Sequence, residues 1–317
     1  MTVSGPIPAD DLGLTLTHEH AFADLRPYAE QVAKTLKSDL EDALEVILPY
    51  LRRLRELGCR SFVDATAAHL GRNPLLLRRL SEASGLHIVT VTGNYAAAGE
   101  RFVPPYVRSD TVEELAARWT REWREGIDGS GVRPGMIKLG FDGGALTDIE
   151  TKLIDAAART HRASGLVIGA HVGPWGQAEP GANATSALAQ IARLADAGVG
   201  ASAWIWIHAQ NVTDVTDLLQ AAERGAWISF DGFRPDSVDE YADYVVRFRD
   251  AGLLQRVLLS QDAGWYSPGE PGGGDFEPFR PILTDLVPAL LERGITQAEV
   301  DQLFVANPAG AFAIRVR

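Results

Sequence analysis

The sequence predicts an α/β fold in which eight parallel strands and their helices form a (β/α)8 TIM barrel, as a single domain over residues 1–317. Eight short apolar runs alternate with segments of helical periodicity over about 250 residues, which is the spacing of this barrel. The chain of 317 residues is 46% hydrophobic, so it can bury the core of one large domain. No internal repeat, low-complexity tract or linker divides the sequence.

Most of the predicted strands are continuously apolar instead of alternating between apolar and polar residues. This pattern is typical of parallel strands that helices cover on both faces. Several runs are rich in Val, Ile or Trp, which favours strands over short helices. The predicted strands are Leu14–His18, Ser61–Thr66, His87–Gly93, Met136–Gly140, Leu166–Val172, Trp204–His208, Trp227–Asp231 and Val257–Asp262.

Segments with helical periodicity lie between these runs. Two of them have clear start signals, since small polar or acidic residues occupy the cap and first turn at 109–114 and 147–150. The predicted helices are Leu40–Leu57, Asn73–Ser84, Thr111–Glu125, Asp148–Ser164, Thr185–Ala197, Val212–Arg224 and Ser237–Ala251.

The composition excludes several classes of partner. The formal net charge is −12, whereas nucleic acids and anionic membranes require a clustered excess of Lys and Arg. The single cysteine, Cys59, excludes an internal disulfide and is compatible with a reducing compartment. The first residues lack the pattern of a signal peptide, and no apolar run approaches the ~20 residues of a membrane span. We therefore expect a cytoplasmic protein without a nucleic-acid or membrane partner.

Six residues with metal-binding chemistry lie at or near the ends of the predicted strands. In this barrel the active site is built at the C-terminal ends of the strands, so side chains from separate strands meet there. Four of the seven histidines occupy such positions, which is more than scattered packing or surface histidines would explain. The six residues are His18, His20, Lys138, His171, His208 and Asp262. We therefore predict that they form the ligand set of a two-metal hydrolase site.

The first two histidines are two residues apart on one predicted strand. Because successive side chains of a strand point to opposite faces, His18 and His20 can aim at one point while Glu19 turns away. Two other polar residues receive plainer interpretations. We expect His69 to be a solvated loop residue and Asp64 to be a structural hydrogen-bond acceptor.

Motifs along nearly the whole chain carry a family resemblance. They are VSGPI at 3–7, LTLTHEH at 14–20, GMIK at 135–138 and NPA at 307–309. With these motifs the chain resembles the phosphotriesterase-like branch of the amidohydrolase superfamily, which includes phosphotriesterase-like lactonases. The resemblance implies a homodimer with two divalent metal ions in each chain.

The resemblance also implies which residue holds which ion. His18, His20 and Asp262 would bind one ion, His171 and His208 the other, and Lys138, carboxylated on its amine, would bridge both. A lysine ammonium cannot ligate a metal, but burial and nearby cations lower its pKa, and the neutral amine can take up carbon dioxide. The ligand types favour zinc, with manganese, cobalt or iron also able to fit.

The implied mechanism rests on the two ions and one carboxylate. Two divalent ions that share a water lower its pKa towards neutrality and give a bridging hydroxide, while one ion polarises the substrate. Asp262 would orient this hydroxide and accept its proton. Lys138 and Asp262 are therefore the predicted catalytic residues.

The substrate pocket matches the family only in part. Related phosphotriesterases have a proton relay through a histidine and an aspartate, but the matching positions here hold Gly232 and Asn211. Tyr95 matches a tyrosine that lactonase relatives place after strand three, whereas Gly232 replaces their arginine and Arg234 follows two residues later. We expect Tyr95 and Arg234 to contact substrate and Asp231 to hold a ligand histidine.

A long segment rich in glycine and proline, 264–280, follows Asp262. Long irregular loops in compact domains are usually functional, so we expect a substrate lid here. Trp265, Tyr266 and Phe276 are its candidate pocket walls.

Three classes of function remain open. The leading hypothesis is a binuclear metal hydrolase for a lactone or carboxylic ester, with organophosphate triesters as a side activity or, alternatively, as the main substrate of an aryldialkylphosphatase-type enzyme. The second is an aldolase in which Lys138 forms a Schiff base with Asp262 as base, which leaves the four histidines without a role. The third is a metal-binding or ligand-binding protein without catalysis.

Overall fold

The computed structural model describes residues 1–34, 40–173 and 179–315, and its strands follow the predicted order along the chain. The strands are β1 Thr15–Phe22, β2 Ser61–Asp64, β3 His87–Val89, β4 Val91–Thr92, β5 Met136–Phe141, β6 Val167–Val172, β7 Trp204–Ile207, β8 Trp227–Phe230, β9 Val257–Leu259 and β10 Gly264–Tyr266. All the paired strands run parallel.

The pairing order closes these strands into a barrel. One run of pairs follows β10-β1-β2-β3 and the other follows β4 through β9 in chain order. Only Thr90 separates β3 from β4, so the two are one barrel strand with an interruption. The seam between β9 and β1 is bound by Asp262 N–H, which donates to the His18 carbonyl at 3.1 Å, and by His18 N–H, which donates to Ser260 Oγ at 2.9 Å. The predicted (β/α)8 barrel is confirmed.

Helices follow the strands and cover the outside of the barrel. They are α1 Tyr28–Ala33, α2 Leu40–Glu56, α3 Pro74–Ser84, α4 Pro105–Ser109, α5 Val112–Glu125, α6 Asp148–Ser164, α7 Ala182–Asp196, α8 Val215–Glu223, α9 Val238–Asp250, α10 Val287–Glu292, α11 Gln297–Asp301 and α12 Asn307–Phe312. Thr111 and Thr147 each begin a helix with a full capping box, as the polar first turns predict. No helix in the described ranges is long and apolar enough to cross a membrane.

The sequence pattern predicts no helix after residue 251, yet residues 282–312 are largely helical. Wide π-type turns at Ile282–Leu286 and Gln302–Ala306 lead directly into α10 and α12. Each of these helices carries a proline in its first turn, Pro288 and Pro308, which has no N–H to donate to the preceding turn. A proline inside a helical pattern normally predicts a break. Here the helix continues through the proline because the wider turn before it does not need that N–H group.

Two layers of apolar side chains surround the sheet. One layer lies between the strands and the helices and includes Phe62 and Ile137, while the other fills the barrel interior and includes Val63 and Met136. Alternation along β5 then directs Lys138 inward, one layer above Met136. Lys138 is only 2% exposed, so its amine is buried above the packed side chains of the barrel interior.

Candidate metal centre

His18 and His20 lie in the middle of β1 and not at its end, because β1 continues to Phe22 alongside β10. Both imidazoles point into the barrel, and their Nε2 atoms are 3.3 Å apart. Asp262 Oδ1 lies 3.1 Å from Nε2 of His20 and 3.6 Å from Nε2 of His18. Lys138 Nζ donates to His18 Nε2 at 3.3 Å. The structure thus brings these four side chains to one point.

The other nitrogen of each ring is held from behind. Asp231 is fully buried and accepts from Nδ1 of His18 at 2.9 Å and from Nδ1 of His208 at 2.7 Å. Thr66 Oγ1 lies 2.8 Å from His20 Nδ1 and donates its own proton to the Phe22 carbonyl at 3.4 Å, so it accepts from the ring. These partners place the ring protons on Nδ1 and leave the Nε2 lone pairs facing the cavity.

His171 and His208 form the second half of the cluster. Their ring centroids are 4.5 Å apart, and the His171 ring is 5.0 Å from that of Tyr95. His171 Nε2 donates to the Gly173 carbonyl at 3.1 Å, so its free lone pair is on Nδ1. His208 has a left-handed backbone with φ of 63°, which turns the chain out of β7 at this point.

Burial and neighbouring charges move the pKa values of these groups in different directions. Burial lowers the pKa of Lys138 to about 8 and that of His18 to about 4, and burial also holds the pKa of His171 well below its usual range. Burial opposes charge on His208, but the Asp231 carboxylate raises the pKa of that ring. Neutral imidazoles and an accessible neutral amine are the forms that bind metals.

The donor atoms fit a cation. With its proton on Nδ1, His20 directs the Nε2 lone pair at Asp262 Oδ1, 3.1 Å away, and two such acceptors repel unless a positive charge lies between or beside them. Asp262 Oδ1 is buried and accepts no hydrogen bond from any described residue. The oxygen and the two Nε2 atoms lie close enough together to share one ion. The neighbouring imidazoles hold the pKa of Asp262 below its usual range despite its burial, so the carboxylate is charged and available as a ligand.

His18, His208 and Asp231 form a second group with spacing suited to a metal. The Nδ1–H groups of both histidines already donate to Asp231. The role of Asp231 is therefore to orient the two rings and not to bind a metal itself. The predicted role of Asp231 as the partner of a histidine matches this geometry. Within the described ranges, His171 belongs to no group of three such side chains.

A cavity of about 600 Å³, called the main cavity below, opens above these groups. All six predicted ligand residues line it, and so do Tyr95, Arg234 and Trp265, three of the four predicted substrate contacts. Trp265 stacks on the His20 ring with centroids 3.9 Å apart. Arg234 forms an ion pair with Glu277 at 3.0 Å and donates to the Gln261 carbonyl, so part of its function is to tie loops together.

The prediction for Tyr266 needs correction. Residues 264–266 form β10, and alternation along this strand directs Tyr266 away from the cavity that Trp265 lines. Tyr266 is buried and stacks on Phe22 with centroids 5.6 Å apart. Phe276 packs on Tyr50 at 4.6 Å and is likewise absent from the described cavity wall. The segment after Asp262 therefore begins as a strand, and only one of its three candidate aromatic residues lines the cavity.

Gly264 allows this strand to approach the predicted metal ligands of β1. Its φ is 105°, and an added Cβ would lie 1.9 Å from the His20 carbonyl oxygen. Any side chain here would push β10 away from β1 and displace Trp265 and Asp262 with it.

Gln210 and Tyr241 also line the main cavity, although no sequence motif indicates either of them. Gln210 Oε1 accepts from the Asp231 N–H at 3.2 Å, and Tyr241 Oη accepts from the Gly232 N–H at 2.8 Å. An added Cβ at Gly232 would lie 2.6 Å from Gln210 Nε2. Gln210 thus fills the space into which a side chain at position 232 would project. A small residue at 232 leaves room for a long one at 210. This relation appears only in the three-dimensional contact, so the sequence carries no local signal for it.

His69 differs from its prediction as a solvated residue. It is half-buried, has a left-handed backbone with φ of 64°, and packs against the rings of Tyr28 and Tyr106. Asp64, in contrast, accepts the Ala21 N–H at 2.8 Å, which matches its expected structural role.

Comparison with known proteins agrees with this site and fold. The model of the phosphotriesterase family matches residues 1–312. A phosphotriesterase homology protein of Escherichia coli K12 is 31% identical over 307 residues, which cover 96% of this chain and 99% of that protein. An N-acetyltaurine hydrolase of Xenopus tropicalis is 26% identical over 350 residues, covering 97% of this chain and 95% of that protein.

Solved structures give the same result. The organophosphorus hydrolase of Deinococcus radiodurans has a TM-score of 0.86 and 31% identity, with 99% of this chain and 96% of that chain covered. A mutant of a PTE-like lactonase from the same organism has the same TM-score and identity, with 99% of both chains covered. The chain therefore belongs to the phosphotriesterase family and is a metal-dependent hydrolase.

Proposed function

We propose that this protein is a binuclear metal hydrolase that opens a lactone or cleaves a related carboxylic ester, with organophosphate triesters as a side activity. The observation that carries the proposal is the meeting of four imidazoles, one buried amine and one unpaired carboxylate oxygen at the floor of a single cavity. A site that only packed these groups together would pair their lone pairs and charges with each other.

In this proposal His18, His20 and Asp262 hold one ion and His171 and His208 hold the other. Lys138, carboxylated on Nζ, bridges the two, and zinc is the favoured metal because imidazole and carboxylate ligands suit it. The pKa of Lys138, lowered to about 8, supports this modification because a neutral amine is the form that takes up carbon dioxide. The carboxylated amine would also supply the third ligand that His171 and His208 otherwise lack.

Bound metal ions would supply Lewis acidity and an activated water. The protein's residues have the remaining tasks. Asp262 would bind an ion through Oδ1 and take up the proton of the attacking water on Oδ2, which lies 3.9 Å from His208 Nε2. Asp231 keeps the rings of His18 and His208 in one orientation and one tautomer. Tyr95, on the cavity wall, offers a hydroxyl for an ester oxygen of the substrate.

Two features favour a lactone or ester over a phosphotriester. Asn211 and Gly232 stand where phosphotriesterases carry their relay, so a proton arriving at Asp262 has no carboxylate or imidazole to pass to at these positions. A PTE-like lactonase is among the solved structures that match nearly the whole chain. An amide substrate is the second candidate, because an N-acetyltaurine hydrolase aligns with 97% of this chain.

The aldolase hypothesis has less support. Lys138 Nζ lies 3.3 Å from His18 Nε2, where a Schiff base would have to form among four histidines that an aldolase does not use. Borohydride trapping with a carbonyl substrate tests it directly: a covalent adduct on Lys138 would support an aldolase, and absence of an adduct would support the hydrolase.

A cytoplasmic homodimer is part of the same proposal, with a small molecule as the substrate partner. Cys59 is buried and is the single cysteine of the chain, which suits a reducing compartment. The homodimer rests on the family resemblance, and light scattering of the purified protein tests it.

The decisive experiment measures metal content per chain together with hydrolysis of γ- and δ-lactones, aryl esters, paraoxon and N-acetyltaurine, before and after chelation. We expect close to two metal ions per chain and lactone turnover that chelation abolishes and added zinc restores. Absence of bound metal under metal-replete conditions would overturn the proposal. Faster turnover of N-acetyltaurine than of every lactone would move the assignment to amide hydrolysis.

A further inference from the structure

Glu19 lies between the two β1 histidines but points to the opposite face of the strand, where it is fully buried. Its carboxylate accepts three hydrogen bonds, all from one short segment. Ser260 Oγ donates at 2.7 Å, the Gln261 N–H at 3.0 Å and the Ala263 N–H at 2.8 Å. The last two donors stand immediately before and after Asp262, so Glu19 binds the main chain on both sides of that residue.

The turn that carries Asp262 is unusual in its backbone conformation. Asp262 has φ of 52°, in the left-handed region that residues other than glycine seldom adopt unless their surroundings hold them there. This conformation aims the carboxylate at the Nε2 atoms of His18 and His20.

Other residues complete the hold on the turn. The Asp262 N–H donates to the His18 carbonyl at 3.1 Å, and the Ala263 carbonyl accepts from the His20 N–H at 2.9 Å. On the outer side, Trp265 Nε1 donates to the Asp262 carbonyl at 2.8 Å. Glu19 is the one side chain among these partners that binds the N–H groups on both sides of Asp262.

The hydrogen-bond directions show what Glu19 contributes. Ser260 Oγ accepts from the His18 N–H at 2.9 Å, so its own proton goes to Glu19. All three recorded partners of the carboxyl group are therefore donors, which a carboxylate can satisfy together. A glutamine has one acceptor oxygen, and its NH₂ group would face an N–H group and lose that contact.

We propose that Glu19 is a positioning residue that holds Asp262 in its left-handed turn and thereby sets the carboxylate against the metal ligands. The inference rests on the proposed function in one respect, since it is Asp262 as metal ligand and proton acceptor that Glu19 positions. The middle residue of the His-x-His motif then has a task of its own, on the far side of the strand from the metals.

The test compares Glu19→Gln with a matched control, Glu150→Gln. Glu150 is also 2% exposed or less and accepts two main-chain N–H groups, those of Asp142 at 2.7 Å and Thr147 at 2.8 Å, but it contacts no residue of the Asp262 turn. We expect Glu19→Gln to weaken zinc binding about 10–100-fold and to lower kcat more than it changes KM. Glu150→Gln should lower the melting temperature and leave zinc affinity at the wild-type value.

Amide hydrogen exchange of the full-length protein separates this inference from the proposed function. In Glu19→Gln, at least one of the Gln261 and Ala263 N–H groups should exchange at least about tenfold faster than in the wild type, whatever reaction the enzyme catalyses. Wild-type exchange at both positions in a folded Glu19→Gln would overturn the positioning role. A wild-type protein that neither binds zinc nor turns over any of the substrates would instead overturn the proposed function. The exchange result would still apply to the Asp262 turn.

A second variant keeps the test decisive if Glu19→Gln fails to fold. Glu19→Asp retains the carboxyl group but is one methylene shorter, so it cannot reach both N–H groups at their present distances. We expect an intermediate loss of zinc affinity and faster exchange at one of the two positions. Wild-type zinc affinity and wild-type exchange in Glu19→Asp would contradict the proposal.

Discussion

Two cavities of equal size, each about 600 Å³, open in the described part of this barrel, and their chemistry differs. The main cavity lies over His18, His20 and Asp262. The other, called the side cavity below, is lined by residues that include His69, Arg72 and Glu122. Both contain histidine, cationic and acidic side chains, so neither volume nor residue types alone distinguish them.

Polar groups of the side cavity bind each other. Arg72 forms two hydrogen bonds with Glu122, at 2.8 and 2.9 Å, and Thr92 Oγ1 donates to the same carboxylate at 2.6 Å. Asn94 donates to Tyr106 Oη at 2.9 Å and accepts from Trp119 Nε1 at 3.2 Å. These side chains of the cavity wall therefore make their hydrogen bonds with each other and need no ligand.

In the main cavity the corresponding atoms face one another without satisfying one another. The His20 Nε2 lone pair lies 3.1 Å from an Asp262 carboxylate oxygen that accepts no hydrogen bond from the described residues. The hydrogen bonds of the β1 imidazoles are instead made by their Nδ1 atoms, on the side away from the cavity, with Asp231 and Thr66. What distinguishes a candidate reaction site from a packed polar region is therefore not its volume. It is the presence of acceptor atoms without donors, on side chains that hydrogen bonds hold in place.

The sharpest test of this contrast is Asp262→Asn, which removes the charge of the unpaired oxygen. We expect kcat to fall about 10²–10⁴-fold on a lactone, because the amide cannot accept the proton of the attacking water. Circular dichroism should show that the variant is folded. Near-normal turnover would exclude Asp262 from the chemistry.

Lys138→Ala removes the buried amine at the floor of the same cavity. If Lys138 bridges two ions, the variant should lose the binuclear centre, and metal content should fall from two ions per chain. A short carboxylic acid such as acetate should restore part of the activity by occupying the place of the carboxylated amine. Unchanged metal content in Lys138→Ala would contradict the bridging role.

The matching change in the side cavity should act on stability and not on metal. The Arg72 side chain is 5% exposed, so Glu122→Ala leaves a buried cation without its main partner. Loss of one partner of such a pair typically costs about 3–5 kcal/mol of the free energy of unfolding. Denaturant titration measures this loss, and zinc content should stay at the wild-type value. A fall in zinc content would show that the two cavities are coupled.

A smaller effect tests how the wall of the main cavity is built. Gly232→Arg restores the side chain of lactonase relatives but crowds Gln210, so it should cost about 1–3 kcal/mol of stability. Adding Gln210→Ala should recover part of that loss, with a coupling of at least about 0.5 kcal/mol between the two changes. Additive effects in this double-mutant cycle would mean that Gln210 moves aside freely.

Local sequence patterns determined much of this protein. Apolar runs and helical periodicity predict the barrel, and the capping boxes at Thr111 and Thr147 predict where two helices begin. The same patterns place histidine, lysine and aspartate side chains at one end of the barrel, because parallel strands all end at one face. Secondary structure and strand order depend on neighbours a few residues apart, so a linear sequence carries them.

Tertiary structure alone decided how the site is supported. Glu19 and Ser260 are 241 positions apart in the chain, and no local pattern indicates that they meet. Tyr266 leaves the cavity wall because β10 pairs with β1, which the glycine-rich sequence does not predict. Gln210 fills the space over Gly232 for the same reason. Residue types that bind metal can be read from sequence, whereas contacts that aim and hold them arise between distant segments that only folding brings together.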